Sequence, residues 1–269
     1  MNLQLPFNPI DRGADVERMV MRDNQRLYFR FRPGKLFGGD ATADCVGCTF
    51  LCAYCWNFER NLEPTRYQDF YTPQAAAARL LFLAQKNHLS LFRISGAEPI
   101  LGERSFRHIL EMFKILVRYR PGTPLVLDTN GLFLGFKPEL IEFLKYLNIK
   151  VRIGIKGINE ESFQSITGAQ KDYFELPLIA LRELEKRKVF AWPALMADFY
   201  PKKDLAEFQA ILKKDYTQAQ MEIEHFKAFP RVVENIKLRH MQFRNFTCET
   251  GASWEDLDSL PENPSDEVK

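Results

Sequence analysis

Short β-like runs alternating with amphipathic helical patterns constrain this chain's fold more than any other feature. Six such runs fall at residues 41–44, 89–95, 125–129, 151–156, 189–196 and 221–226. Between them, residues 73–86, 105–119, 138–146, 175–187 and 204–213 carry apolar side chains at helical spacing. In 105–119, for example, Phe106, Ile109, Leu110, Phe113, Leu116 and Val117 share one face. Pro73 and Pro138 stand where a first helical turn tolerates a missing N–H. Pro193 interrupts the fifth run and weakens its middle as a strand. Strand–helix alternation over this length implies parallel strands joined by right-handed crossovers, hence an α/β fold built as a doubly wound sheet or a barrel. Six units are too few to close an eight-stranded barrel.

With 269 residues and 46% hydrophobic content, one large core can be buried. Residues 1–40 read as an N-terminal extension with one further strand at 27–32, and 41–248 as the main domain. Residues 249–269 hold seven acids and one base, with Gly, Ser and Pro, and read as a disordered acidic tail. The preceding 248 residues therefore carry eight more bases than acids, compatible with an acidic protein partner, with RNA, or with a solvated surface. No stretch approaches the ~18 uncharged apolar residues of a membrane helix. Five cysteines without a signal-peptide pattern point to a reducing cytoplasm rather than a disulfide framework.

Cys48, Cys52 and Cys55 form a C-x3-C-x2-C run. Three thiolates so close in sequence suit three corners of a cubic iron–sulfur cluster, leaving the fourth iron for a small molecule. Cys45 extends the spacing and keeps two alternatives open. A four-thiolate zinc site usually pairs two knuckles across a longer segment, and a closed electron-transfer cluster of the ferredoxin kind uses a different spacing. Cys45 otherwise reads as a buried, inert thiol, and Cys248 has no assigned role.

The wording around the triad, with Tyr54 before the third cysteine and Asn57 two residues after it, resembles the radical S-adenosylmethionine (SAM) superfamily. More narrowly, it looks like the activating enzymes of glycyl-radical proteins, such as that of pyruvate formate-lyase. The resemblance implies a partial (β/α)6 barrel, a 4Fe–4S cluster on Cys48, Cys52 and Cys55, and SAM on the open iron. It also places Tyr54 near the adenine of SAM. Ser95-Gly96-Ala97-Glu98-Pro99, at the end of the second run, is similar to the family's Gly-Gly-Glu-Pro segment, where acceptors meet the methionyl ammonium. Asp128-Thr129-Asn130-Gly131 matches wording that the activating enzymes carry beside SAM, and otherwise reads as a cap and a tight turn. Lys156 is implied to neutralise the SAM carboxylate, and His225 falls roughly where the activating enzymes hold a histidine near SAM. Two positions depart from that subfamily: Trp56 replaces a histidine and Gly154 an aspartate.

The implied chemistry is reductive cleavage of SAM to a 5′-deoxyadenosyl radical that abstracts hydrogen, supported by flavodoxin or ferredoxin as the low-potential donor. A protein substrate activated at a glycine is the leading expectation. RNA or a small molecule is the alternative, and the basic, Phe-rich stretch from Lys227 to Arg244 is compatible with nucleic acid. A non-enzymatic electron carrier would need Cys45 as a fourth ligand and no SAM motifs.

Overall fold

The computed structural model describes residues 4–218, 220–226 and 230–241. The N-terminal segment holds α1 (Pro9–Val20), β1 (Met21–Arg22) and β2 (Gln25–Gly34). Next come β3 (Asp40–Cys45), α2 (Phe58–Leu62), β4 (Phe70–Tyr71), α3 (Pro73–Lys86), β5 (Phe92–Ser95) and α4 (Glu103–Tyr119). They are followed by β6 (Leu125–Thr129), α5 (Leu132–Phe136), β7 (Ile149–Ile155), α6 (Glu160–Thr167) and α7 (Glu175–Lys186). The described chain closes with β8 (Ala191–Met196), α8 (Lys202–Asp215), β9 (Glu222–Glu224) and α9 (Pro230–Leu238).

One sheet runs in the order β1-β2-β3-β5-β6-β7-β8-β9, with β4 pairing β2. From β3 to β9 every pairing is parallel, while β2 joins β3 antiparallel. The fold is therefore the unclosed six-stranded α/β barrel expected, with the N-terminal strands extending one edge. Three details differ from the sequence reading. Residues 138–146 form a 3-10 helix, Pro138–Leu144, in place of an α-helix. The N-terminal extension contains a full helix, α1, capped by Asn8 through its side chain. Pro193 sits inside β8 in register with Ile153, so the strand continues through it. The expected acidic tail and Cys248 lie outside the described residues. Among the described residues, no helix is long and apolar enough to cross a membrane.

The two faces of the sheet differ in chemistry, and that difference positions the site. Ala41, Ala43, Phe92, Ile94, Leu125, Leu127, Val151 and Ile153 are buried in one core with apolar residues of α3, α4 and α7. The side chains between them in sequence point the other way. Along the inner face, register links Arg30 to Asp44 and Asp44 to Ser95, then Asp128 to Arg152 and Arg152 to Trp192. Parallel strands covered on both faces usually read as continuous apolar runs; here the inner face is charged. Arg93 donates through Nε to Asp128 Oδ2 at 2.8 Å, and Ser95 Oγ donates to the same oxygen at 2.7 Å. Arg152 pairs with Glu222 and Glu224 at 2.9 and 2.8 Å, and Trp192 Nε1 donates to Glu222 at 2.7 Å.

Candidate active site around the cysteine loop

The loop after β3 carries the three cysteines and is fastened by backbone bonds from outside it. Leu51 N donates to Thr167 O and Ala53 N to Ile166 O, tying the loop to the end of α6. Arg239, just beyond α9, donates to Leu51 O at 2.6 Å and Ile166 O at 2.9 Å, bridging the same two segments. Arg26, fully buried in β2, donates to Glu98 O at 2.7 Å and Val46 O at 3.4 Å, and Glu98 N donates to Gly47 O. The cysteine loop is thus pinned to the SGAEP turn from beneath.

The sulfurs themselves receive N–H groups. Phe50 N lies 3.4 Å from Cys48 Sγ, Asn61 Nδ2 3.6 Å from Cys55 Sγ, and Asn130 Nδ2 3.9 Å from Cys48 Sγ. Burial pushes the Cys48 and Cys52 thiols up to about 12 and Cys55 to about 11, with neighbouring cysteines adding repulsion in each case. Left alone they stay protonated, so a strongly cationic group is needed to bring thiolates together here. Cys45 is buried on the helix-covered face with Ala41 and Ala43, beside Arg26, and its thiol is pushed up to about 11, first by burial. Among the described residues, no three His, Cys, Asp or Glu side chains are gathered so as to hold a single metal ion.

Around the loop, the structure sorts the remaining candidates into two groups. Glu98 is a brace. Its carboxylate accepts from Ile100 N at 2.9 Å, Thr129 Oγ1 at 2.6 Å and Asn130 N at 2.7 Å, joining the SGAEP and DTNG turns. Burial raises this carboxyl to about 7 despite those bonds. Thr129 is spent on that contact, and Asn130 binds Thr49 Oγ1 at 2.8 Å and Leu132 N at 2.9 Å. Gly96 adopts φ +88°, and a Cβ there would lie 2.8 Å from the Asp44 backbone, so the turn requires glycine. Its carbonyl accepts from Asn57 Nδ2, and Ala97 packs against the core.

Other groups keep free polar capacity. Asp128 Oδ1 and Tyr54 Oη are buried without a hydrogen-bond partner among the described residues. Tyr54 stacks on Phe199 with centroids 5.4 Å apart, and Lys156 Nζ sits 5.6 Å from the Tyr54 ring. A Cβ on Gly154 would lie 3.0 Å from Lys156 Nζ, so the absent aspartate side chain leaves room that the lysine ammonium uses. His225 follows β9 and donates through Nδ1 to the buried Asp198 at 3.1 Å. Of the basic stretch near the C-terminus, Arg239 is committed to the cysteine loop and Arg231 pairs with Glu59, while Lys227 and Arg244 lie outside the described residues.

A family model described as the radical SAM superfamily matches residues 44–214 of this chain. The chain belongs to that superfamily. Radical SAM enzymes bind a 4Fe–4S cluster and SAM, and a reductant drives cleavage of SAM to a radical. A GTP 3′,8-cyclase from Nautilia profundicola is 30% identical over 146 residues, covering 52% of this chain and 41% of that protein. The solved structure of Streptococcus suis SuiB superposes with TM-score 0.52 at 11% identity, over 68% of this chain and 38% of that one. That of anSMEcpe with bound AdoMet gives 0.49 at 15% identity, over 71% and 56%. The chain thus spans about two-fifths of the length of the first two, and the likeness to SuiB speaks to fold alone. The donor set fits the family's cofactors: three thiols on one fastened loop, with unpartnered buried oxygens on Tyr54 and Asp128 nearby.

The sequence reading missed the inner-face charges Arg30, Arg32, Arg93, Arg152, Glu222 and Glu224. Their signal was present as period-two spacing inside the β runs, Arg30-x-Arg32 and Glu222-x-Glu224.

Proposed function

We propose that this radical SAM enzyme holds its cluster on Cys48, Cys52 and Cys55 and uses the resulting radical to abstract hydrogen from a small-molecule substrate on the inner face of the barrel. When bound, the cluster supplies the electron that cleaves SAM to methionine and a 5′-deoxyadenosyl radical. The chain's own part is orientation and exclusion of water. Lys156 offers its ammonium to the SAM carboxylate, and Tyr54 offers an aromatic face for adenine, backed by Phe199. Asp128 presents its free Oδ1 to a hydroxyl or ammonium. Glu98, Thr129 and Asn130 act one step removed, by locking the two turns against the cysteine loop.

The observation that carries this reading is the charged inner face. It lies beside the cysteine loop, on the face of the sheet turned away from the packed helices. The likeness to a GTP cyclase, an enzyme named for a small-molecule reaction, favours the same class. Activation of a glycyl-radical protein is the second reading, favoured by the DTNG turn and by Tyr54 and Asn57 around Cys55. Anaerobic reconstitution followed by reduction tests the proposal. Wild type and Cys45→Ala are expected to form 5′-deoxyadenosine, and Cys52→Ala none. Equal turnover by Cys52→Ala would sink the ligand assignment.

A further inference from the structure

At the β2–β3 end of the inner face, cationic charge exceeds anionic charge. Arg30 and Arg32 both donate through Nε to one oxygen of Asp44, at 2.7 and 2.8 Å, and Arg32 Nη2 reaches the other at 3.3 Å. Asp44 is fully buried, whereas the two arginine side chains keep 31% and 30% of their exposure. Arg60 joins the group through shared aromatic rings. Its guanidinium stands 3.8 Å from the Phe29 centroid and 5.8 Å from Trp56, and that of Arg30 stands 5.2 and 5.7 Å from the same rings. Arg60 also donates to Asn57 Oδ1 at 3.0 Å, and its Nε is buried without a partner among the described residues. The neighbouring acid Glu59 pairs with Arg231 instead.

Arg30 and Arg32 share the one carboxylate of Asp44, and Arg60 adds a third guanidinium on the rings it shares with Arg30; against Asp44 and the buried Asp40 on the same face of β3, the formal excess is one positive charge among these residues. Such crowding is costly until an anion enters. The opposite end of the inner face is balanced, with Arg152 and Lys156 against Glu222 and Glu224. The excess also has a definite place. Asp44 Cα lies 2.8 Å from where a Cβ of Gly96 would be, so the arginines stand beside the SGAEP turn.

We propose that Arg30, Arg32 and Arg60 form a phosphate-binding pocket for the enzyme's substrate, a phosphorylated small molecule. This rests on the reading of the inner face as the substrate site. A phosphomonoester carries a charge of about −1.5 to −2 near neutral pH and three acceptor oxygens, enough to engage three guanidinium groups that have one carboxylate between two of them. Guanidinium forks bind such groups bidentately. Trp56, 45% exposed between Arg30 and Arg60, offers a face for the remainder of the molecule. Docking of an acidic electron carrier is the rival use of these charges. Their position on the inner face of the sheet, with two-thirds of each β2 arginine buried, favours the small ligand.

Calorimetry on the anaerobically reconstituted protein tests the pocket, with pyrophosphate and guanosine monophosphate as probes and citrate and guanosine as controls. Both phosphates are expected to bind and guanosine not. Arg32→Gln and Arg60→Gln should each weaken phosphate binding at least tenfold, Arg32→Lys should restore part of it, and Arg107→Gln on the distant surface of α4 should leave it unchanged. Undiminished binding in Arg32→Gln, equal binding of citrate, tighter binding of a single-stranded oligonucleotide, or no binding at all would each overturn the proposal. So would a defect in Arg32→Gln confined to reduction by flavodoxin. Deoxyadenosine formation by wild type is measured alongside; its failure would strike the enzymatic reading and leave the phosphate result standing on its own.

Discussion

Individual side chains in this protein do work that their sequence position does not announce. His108, on α4, is buried between Tyr28 and the Asn24 carbonyl. Its Nδ1–H donates to that carbonyl at 2.9 Å, which leaves Nε2 to accept from the Tyr28 hydroxyl, also at 2.9 Å. Burial, with nearby Arg26 adding to it, pushes the imidazole down to about 4. The unfolded chain then binds a proton that the folded chain refuses between pH 6.5 and about 4. Stability is expected to fall across that window as pH drops, by on the order of 3 kcal/mol from this residue. Urea unfolding at pH 7 and pH 5 checks it: His108→Gln should flatten the slope whatever its absolute stability, and an unchanged slope would refute the assignment. Glu98 makes the same point. Its place in SGAEP suggests a ligand for SAM, yet its oxygens are consumed by Thr129, Asn130 and Ile100.

At the scale of elements, the N-terminal helix is bolted to the barrel by a cap supplied in trans. Helix α4 begins after Gly102, which has no side chain to cap it; Glu17 of α1 fills that place and accepts from Ser105 N at 2.8 Å and Ser105 Oγ at 2.7 Å. Glu17→Ala should cost about 1–2 kcal/mol, as for loss of a buried cap. Chemical denaturation reads this out, and Glu17→Gln should recover a part, because an amide oxygen still accepts. The main parallel strands and most of their helices were legible in the sequence, since apolar spacing is a local property of each segment. Helix α1 was not, because its buried face is small and includes the polar residues Arg12 and Glu17. The 3-10 character of Pro138–Leu144 also escaped, as helical spacing does not distinguish the two kinds of turn over so short a stretch.

Across the whole molecule, the inner face is held by buried ion pairs between strands far apart in sequence. Arg93 and Asp128 are each about one-tenth exposed, and Asp128 also accepts from Ser95. Removing one partner strands the other: Arg93→Ala is expected to destabilise by about 3–5 kcal/mol, whereas Arg93→Leu with Asp128→Asn should cost less than the separate changes together. A double-mutant cycle by thermal or urea unfolding decides this, and strict additivity would show that the pair is not coupled.

By itself the sequence determined the parallel α/β class, the cysteine loop and the two glycine-bearing turns, because each is written in neighbouring residues whose spacing and conformational needs are local. Tertiary structure alone decided which charges meet. Arg152 finds Glu222 across 70 residues and Arg93 finds Asp128 across 35, through strand order and register. The same pairing leaves two arginines on Asp44 and withdraws Glu98 into a brace. Contacts of that kind depend on how whole strands align, and no window of the chain encodes the alignment.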